Sequence, residues 1–89
     1  MAATLTADVF QDELAMTLAR VMAVANKRAR ESGVDLLHSL ISITQRSFND
    51  SWIWRINYGP KDYVGRRGGD FIVDVDPTNT SVIQVLRGQ

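Results

Sequence analysis

The chain has 89 residues, with ten basic and ten acidic side chains, one histidine and no cysteine. This length fits a single domain, 1–89, with a modest core. The apolar fraction of 45% and the charged fraction of 22% are typical of a folded protein and argue against disorder. A net charge of zero gives no support to a nucleic-acid partner or an acidic membrane surface. Without cysteine, the chain forms no disulfide and offers no thiolate for catalysis or metal binding.

The N-terminal residues carry no sign of a targeting or membrane segment. No apolar run approaches the roughly 18–20 residues that span a bilayer. A signal peptide begins with a basic region, which is missing here, and Asp8 interrupts the apolar residues early. We therefore expect no membrane partner. A cytoplasmic location is favoured, and a periplasmic one would follow if a leader had been removed.

The first predicted element is one long helix over residues 6–32. Apolar residues recur along it at steps of three and four and form one stripe, which Val21 widens: Phe10, Leu14, Leu18, Met22, Ala25 and Ala29. Thr6 or Asp8 is the expected N-cap, because a short side-chain oxygen can accept from a free first-turn amide. Gly33 predicts the end of the helix, since glycine adopts positive φ without a Cβ penalty.

Four short runs after Gly33 predict strands, at about residues 40–48, 52–58, 70–76 and 81–86. The segment 49–51 predicts a turn, and so does 77–80, where Asn79 best tolerates a left-handed backbone. Residues 59–69 are expected to form a glycine-rich loop. Because short connections favour an antiparallel meander and one sheet face needs cover, the predicted fold is α+β. It has one long N-terminal helix packed on a four-stranded antiparallel meander sheet that wraps it.

The second strand has a marked period of two in its aromatic residues. Trp52, Trp54, Ile56 and Tyr58 share one face. Such a row can be a stacking platform for single-stranded nucleic acid or sugar, or it can be the inner face of the sheet. Core packing is the favoured interpretation for Trp54 and Ile56, with Trp52 partly exposed near the start of the strand.

The segment 52–89 resembles a known class of small bacterial domains. It reads W-x-W-x-I-x-Y from Trp52, then GGDFIVDVDP from Gly68, then VIQVLRGQ from Val82, with Asn79 at a turn position where the pattern prefers glycine. This is similar to cystatin-like cone domains, especially immunity-type proteins of the nuclear-transport-factor-two-like class and PepSY-like proteins. The resemblance implies a helix-on-sheet cone and a non-enzymatic binder or inhibitor, often of a bacterial toxin or a protease.

The residues that could carry chemistry do not form a catalytic or metal-binding pattern. His38 is the only histidine, and its apolar surroundings predict a structural role at the start of a strand. Asp74 and Asp76 imitate the start of a calcium loop, but Asn79 and Val85 replace the glycine and glutamate that such a loop requires. A solvated strand face and a turn explain the aspartates. A strand follows the glycine-rich loop, which excludes a phosphate-binding loop. We predict no catalytic residue, no metal and no cofactor.

The long glycine-rich loop is the expected binding site. Arginine and tyrosine are common interface hot spots, and loops of this length are often functional. The candidate partner-binding residues are Lys61, Asp62, Tyr63, Arg66, Arg67 and Asp70. The alternative is that the loop is only a flexible connection between two strands.

Three functions follow from these features. The first is a non-enzymatic protein-binding module, of the inhibitor or immunity type and of bacterial origin, whose partner is another protein. The alternative is a self-associating structural or assembly protein, for which a patch on the helix is available: Met16, Ala19 and Ala23. The third, an enzyme with a pocket inside the cone, would need His38 to pair with Asp70 or Asp74, and the chain is short for enclosing both a pocket and a core.

Overall fold

The computed structural model describes residues 7–60 and 70–87. Its elements follow the chain in this order: α1 (Ala7–Phe10), α2 (Glu13–Glu31), a 3-10 turn (Leu36–His38), β1 (Ser39–Phe48), β2 (Ser51–Pro60), β3 (Phe71–Asp76) and β4 (Ser81–Arg87). The strands form one sheet in the order β1-β2-β3-β4, and all neighbours are antiparallel. The predicted α+β fold, a long N-terminal helix packed on a four-stranded antiparallel meander, is confirmed.

The N-terminal helix is not continuous as predicted. It divides into α1 and α2 at Asp12, whose backbone is extended (φ −90°, ψ 106°) and whose side chain accepts a hydrogen bond from the Ala15 amide at 2.9 Å. Asp12 is therefore the N-cap of the long helix, because it satisfies an amide that the first turn leaves free. The prediction of Asp8 as that cap was wrong, since Asp8 lies inside α1, and Thr6 lies outside the described residues.

The C-terminus of α2 follows the prediction. Gly33 has φ +88°, its amide donates to the Arg30 carbonyl at 3.0 Å, and the Val34 amide donates to the Ala29 carbonyl at 2.9 Å. These two bonds form a Schellman motif, which satisfies carbonyl groups at the helix end. Val34 then packs against the core, so the turn also directs the chain back to the sheet.

The core lies between α2 and three of the four strands. α2 packs mainly on β3 and also contacts β2 and β4. The core residues share near-complete burial: Val21, Ala25, Ala29, Ile56, Tyr58, Phe71, Val73 and Val75. Alanines at two of the three helix positions allow a close approach of helix and sheet. β1 is not among the strands against which α2 packs closely, so the sheet covers the helix with β2–β4 rather than with its full width.

The predicted apolar stripe of the helix is buried only in its C-terminal half. Phe10 and Leu14 are exposed, contrary to the prediction that they share the core with Ala25 and Ala29. The break at Asp12 explains this for Phe10, which belongs to α1 and not to the helix that packs on the sheet.

The turn between β1 and β2 is a two-residue hairpin. Asn49 and Asp50 both have positive φ, 50° and 64°, and Phe48 pairs with Ser51. A type I′ hairpin needs two such residues, and asparagine and aspartate tolerate this conformation best after glycine. The register that follows is uninterrupted and continues to Ser39 opposite Pro60. Gly59 and Pro60 therefore belong to β2, and the prediction that the loop begins at residue 59 was wrong.

The second hairpin differs from prediction in two details. Positive φ falls on Thr80 (54°) and not on Asn79. The Asn79 side chain instead accepts hydrogen bonds from the amide and hydroxyl of Ser81, at 3.0 and 2.7 Å. The ladder between β3 and β4 then shifts by one residue, because Asp74 faces Gln84 while Val75 faces Val82. Ile83 is the extra residue of this β-bulge.

Candidate protein-binding surface

Most of the predicted loop site lies outside the described residues. Five of its members fall within the segment 61–69: Lys61, Asp62, Tyr63, Arg66 and Arg67. Their role in binding stays a prediction. Asp70 is described and partly buried, and its carboxylate accepts a long hydrogen bond (3.4 Å) from the side-chain amide of Asn57 in β2.

β1 is an edge strand that is open along nearly its whole length. Among the strands of the described residues, β1 pairs only with β2, and all eight of its central residues, 40–47, are exposed. Along the outer side of an edge strand, alternate residues present backbone N–H and C=O groups with no ladder partner. β1 therefore offers a template for another extended chain.

The open strand carries apolar side chains on both of its faces. Leu40 is 52% exposed, Ile41 37% and Ile43 41%. Ile41 lies beside Tyr58 and Ile43 beside Ile56, so both continue the face that packs on α2. The two β2 residues are buried, whereas their β1 neighbours are not. The apolar core surface therefore extends beyond the edge of its helical cover.

β1 also lacks the features that usually protect a sheet edge. Natural edge strands are short, charged, bulged or interrupted by proline. β1 has ten residues, no proline, an unbroken register with β2, and Arg46 as its single charged residue. The opposite edge, β4, has the bulge at Ile83, and Arg87 ends it with its guanidinium 4.9 Å from the centre of the Phe71 ring. The two edges are therefore unequal, and β1 is the less protected one.

The aromatic face of β2 behaves as the core interpretation predicted. Ile56 is fully buried, and Trp54 is partly buried and packs against the core. Trp52, opposite Ser47 near the turn of the first hairpin, is 65% exposed. The row is thus an inner sheet face that emerges into solvent at one end.

Tyr58 joins this core to the helix through its hydroxyl group. The hydroxyl donates to the Asn26 side-chain oxygen at 2.6 Å. Burial raises the pKa of Tyr58 to about 12, although the positive charge of Arg30 acts in the opposite direction. The phenol is therefore neutral and works as a hydrogen-bond donor.

The other face of the sheet carries a row of polar residues across all four strands. Thr44, Arg55, Asp74 and Gln84 lie side by side in the strand registers. Arg55 donates two hydrogen bonds of 2.9 Å to the two oxygens of Asp74, and Gln84 donates a third of 2.6 Å. This bidentate geometry is the strongest form of an arginine–carboxylate contact.

The burial of Asp74 contradicts the predicted solvated strand face. Its side chain is completely buried, whereas that of Arg55 is 22% exposed. Burial by itself would raise the pKa of Asp74. The hydrogen bonds from Arg55 and Gln84, together with the positive charges of Arg55 and Arg46, outweigh that effect and hold the pKa below its ordinary value. The carboxylate stays ionised because each oxygen is bonded, and we assign this group to stability.

Asp76 and His38 have structural partners of their own. Asp76 accepts a hydrogen bond from the Thr78 amide at 2.8 Å, which confirms its predicted role in the turn. His38 Nδ1 lies 2.7 Å from the carboxylate of Asp35, and both side chains are exposed. The hydrogen bond with His38 lowers the pKa of Asp35. An enzyme hypothesis needs His38 to pair with Asp70 or Asp74. In the described part of the chain, His38 instead contacts Asp35, Asp74 is bound to Arg55, and Asp70 accepts from Asn57.

Two absences concern only the part of the chain that the structure describes, 7–60 and 70–87. There, no three histidine, aspartate or glutamate side chains come close enough together to hold a metal ion. Within the same ranges, no helix combines the length and the apolar character that crossing a membrane requires.

The open edge was not identified as a site from the sequence, although its strand was predicted at about 40–48. One signal was available, because seven consecutive residues, 39–45, carry no charge and include Leu40, Ile41 and Ile43. What the pattern could not show is that β1 stands at the edge and outside the helical cover.

Comparison with known proteins gave no match to any family model, curated protein or solved structure.

Proposed function

We propose that this chain is a non-enzymatic protein-binding module that binds through the open edge of β1. The observation that supports the proposal is the exposure of eight consecutive edge-strand residues, 40–47, next to a core face that α2 leaves uncovered. An extended segment added to such an edge gains main-chain hydrogen bonds, and side chains on alternate positions provide specificity. Ile41 and Ile43 would then be covered by the partner.

The start of the open edge pairs with the residue that precedes the predicted loop. Pro60, the last residue of β2, pairs with Ser39 at the start of β1, and Lys61 follows directly. Arg66 and Arg67 of the loop are therefore proposed to contribute to the same partner contact. An inhibitor or immunity-type role is the form of binding that the resemblance to cystatin-like cone domains implies, and it is part of the proposal.

The test compares three double variants with the wild-type chain. Ile41→Lys/Ile43→Lys places charge on the open edge, and Arg66→Ala/Arg67→Ala removes charge from the loop. A third variant, Ala19→Lys/Ala23→Lys, adds the same two charges to exposed positions of α2. It serves as the charge-matched helix control and also tests the alternative self-association patch, which includes both residues; loss of binding in this variant alone would assign the contact to the helix. Circular dichroism and thermal unfolding first establish that all three are folded.

Each variant is then tested for binding to the protein that the immobilised wild-type chain captures from a native cell lysate. Amide hydrogen exchange is recorded in that complex. We expect binding to be lost in the β1 variant and kept in the helix control, with new protection of amides within 39–48. Equal binding by the β1 variant and the wild type, with no new protection in β1, contradicts the proposal. Loss of binding only in the loop variant would assign the site to the loop and also contradict it.

A further inference from the structure

Whether a strand can pair with its own copy depends on which side of the joined sheet the side chains of the two copies point to. In an antiparallel pair, residues that lie opposite each other point to the same face. A two-fold axis that brings two copies of β1 together must therefore keep Ile41 and Ile43 of both copies on the α2 side. This condition is met when the axis passes through a residue position. A symmetric pair then forms one continuous eight-stranded sheet with both helices on the same face.

Three positions of the axis give different apolar contacts. Centred on Ser42, the pairing sets Ile41 against Ile43 of the other copy twice, once on each side of the axis. Centred on Ile43, it gives one Ile43 pair and sets Ile41 against Gln45. Centred on Ile41, it gives one Ile41 pair and sets Ile43 against Ser39. The Ser42 register covers the exposed isoleucines most fully, and cross-strand apolar pairs are the contacts that stabilise such a sheet.

The charges of β1 agree with the Ser42 register. The overlapping residues are then 39–45, and no charged side chain lies among them. Like charges that face each other across two strands oppose pairing, and a two-fold axis sets a charged side chain beside its own copy when that side chain lies close to the axis. Arg46, the single charge of β1, falls just outside the overlap. The strand is thus free of the repulsion that would prevent self-pairing.

We propose that β1 pairs antiparallel with β1 of a second copy of this chain, with Ile41 facing Ile43 of the other copy. The inference rests on the proposed function and names the partner of the same edge. It explains why β1 alone lacks edge protection, because the second copy supplies it, while β4 keeps its bulge and Arg87. It also gives cover to Leu40, which would face Thr44 on the other side of the sheet.

Sedimentation equilibrium of the full chain tests the association. We expect the wild type and Ala19→Lys/Ala23→Lys to dimerise, and Ile41→Lys/Ile43→Lys to dissociate with a dissociation constant higher by at least about tenfold. A dimer lost in Ala19→Lys/Ala23→Lys but kept in the β1 variant would place the contact on the helix patch and overturn the self-pairing. Mixing the lysine variant with Ile41→Asp/Ile43→Asp should restore a one-to-one dimer, since opposite charges then face each other in this register. The mixed dimer also shows that both variants are folded.

A cysteine scan tests the register, and the natural chain has no cysteine to interfere. Opposite residues in an antiparallel pair have Cα atoms about 4.5–5.5 Å apart, which suits a disulfide. Ser42→Cys should therefore form a covalent dimer under mild oxidation. Thr44→Cys should not, because its two copies would lie about 13 Å apart along the strands. Thr78→Cys, in the exposed β3–β4 turn, gives the rate of random collision.

The outcomes separate this inference from the proposed function. A wild-type chain that stays monomeric at the highest soluble concentration overturns the self-pairing. If that monomer still binds another protein through protected β1 amides, the proposed function stands. If the β1 variants change neither association nor binding, both are overturned. Crosslinking of Ser42→Cys no faster than that of Thr78→Cys overturns the register.

Discussion

Replacing Arg55 by methionine should destabilise the fold more than replacing its partner Asp74 by asparagine. The structure gives the reason, because Asp74 is fully buried and Arg55 is 22% exposed. Without Arg55, the carboxylate remains buried, and Gln84 is the side-chain donor that is left to it among the described residues. Without the carboxylate charge, the guanidinium can turn to water. The buried charge is thus the more sensitive member of the pair.

The expected magnitudes follow from this asymmetry. Breaking a buried ion pair by removing one partner costs about 3–5 kcal/mol, and partial exposure of the pair places Arg55→Met near 3 kcal/mol. Asp74→Asn should cost about 1.5–2 kcal/mol, the lower part of the range for a hydrogen bond to a charged group, because the partly exposed guanidinium can be hydrated. A chain of 89 residues has a total stability of about 4–13 kcal/mol. The arginine variant therefore loses a large fraction of it.

The pH dependence has a definite sign. The native pKa of Asp74 lies below its ordinary value, so its contribution is complete above the unfolded pKa of about 3.9 and is lost as pH falls through the native pKa. In Arg55→Met, the hydrogen bonds and positive charge of Arg55 no longer offset the effect of burial on the carboxyl group. The native pKa of Asp74 therefore rises above the unfolded value. The variant's deficit relative to wild type should therefore be smaller at pH 4 than at pH 7.

Urea unfolding followed by tryptophan fluorescence measures these differences at one protein concentration. The double variant Arg55→Met/Asp74→Asn completes a mutant cycle and should be more stable than the sum of the single effects implies. Additive effects within about 0.5 kcal/mol would refute the reasoning. A larger cost for Asp74→Asn than for Arg55→Met, or deficits equal at the two pH values, would refute it as well.

Two further predictions concern the helix and its contact with the sheet. Tyr63→Phe leaves Tyr58 as the single tyrosine, and absorbance titration at 295 nm should then give a midpoint of about 12; a midpoint near 10 would show that the phenol is solvated. Because this pKa is raised, about 2–3 kcal/mol of stability is present below the unfolded value of about 10 and is lost as pH rises through about 12. Asp12→Ala should cost about 1 kcal/mol in urea unfolding, whereas Asp8→Ala should cost under about 0.5 kcal/mol; the reverse order would return the N-cap to Asp8.

The order of elements could be predicted from the sequence because it is a local property, and the fold class followed from that order together with the short connections between strands. Apolar residues at steps of three and four predicted a helix, and alternation such as Trp54, Ile56 and Tyr58 predicted strands. Gly33 predicted the helix end, where the backbone has φ +88°. In each case the signal lies in residues that are close in the chain, and their conformation depends on their own side chains.

Where two residues of similar type could take the same structural role, the sequence did not predict which of them takes it. Asp8 and Asp12 are equally good caps by type, and the extended backbone at Asp12 decides between them. Asn79 tolerates positive φ better than Thr80, but Thr80 adopts it directly before β4 begins. The preference of asparagine for positive φ is overridden here, because closure of the hairpin requires positive φ at Thr80.

The sequence by itself determined which segments are helix and strand, and that the strands follow one another as a meander. Only the tertiary structure decided what each segment faces. Asp74 alternates on β3 like a solvated residue, yet it is buried because Arg55 and Gln84 stand beside it in the sheet. Ile41 and Ile43 alternate like core residues, yet they are exposed because α2 packs on β2–β4. Burial depends on how all the helices and strands pack together, so the alternation of residues within one strand cannot predict it.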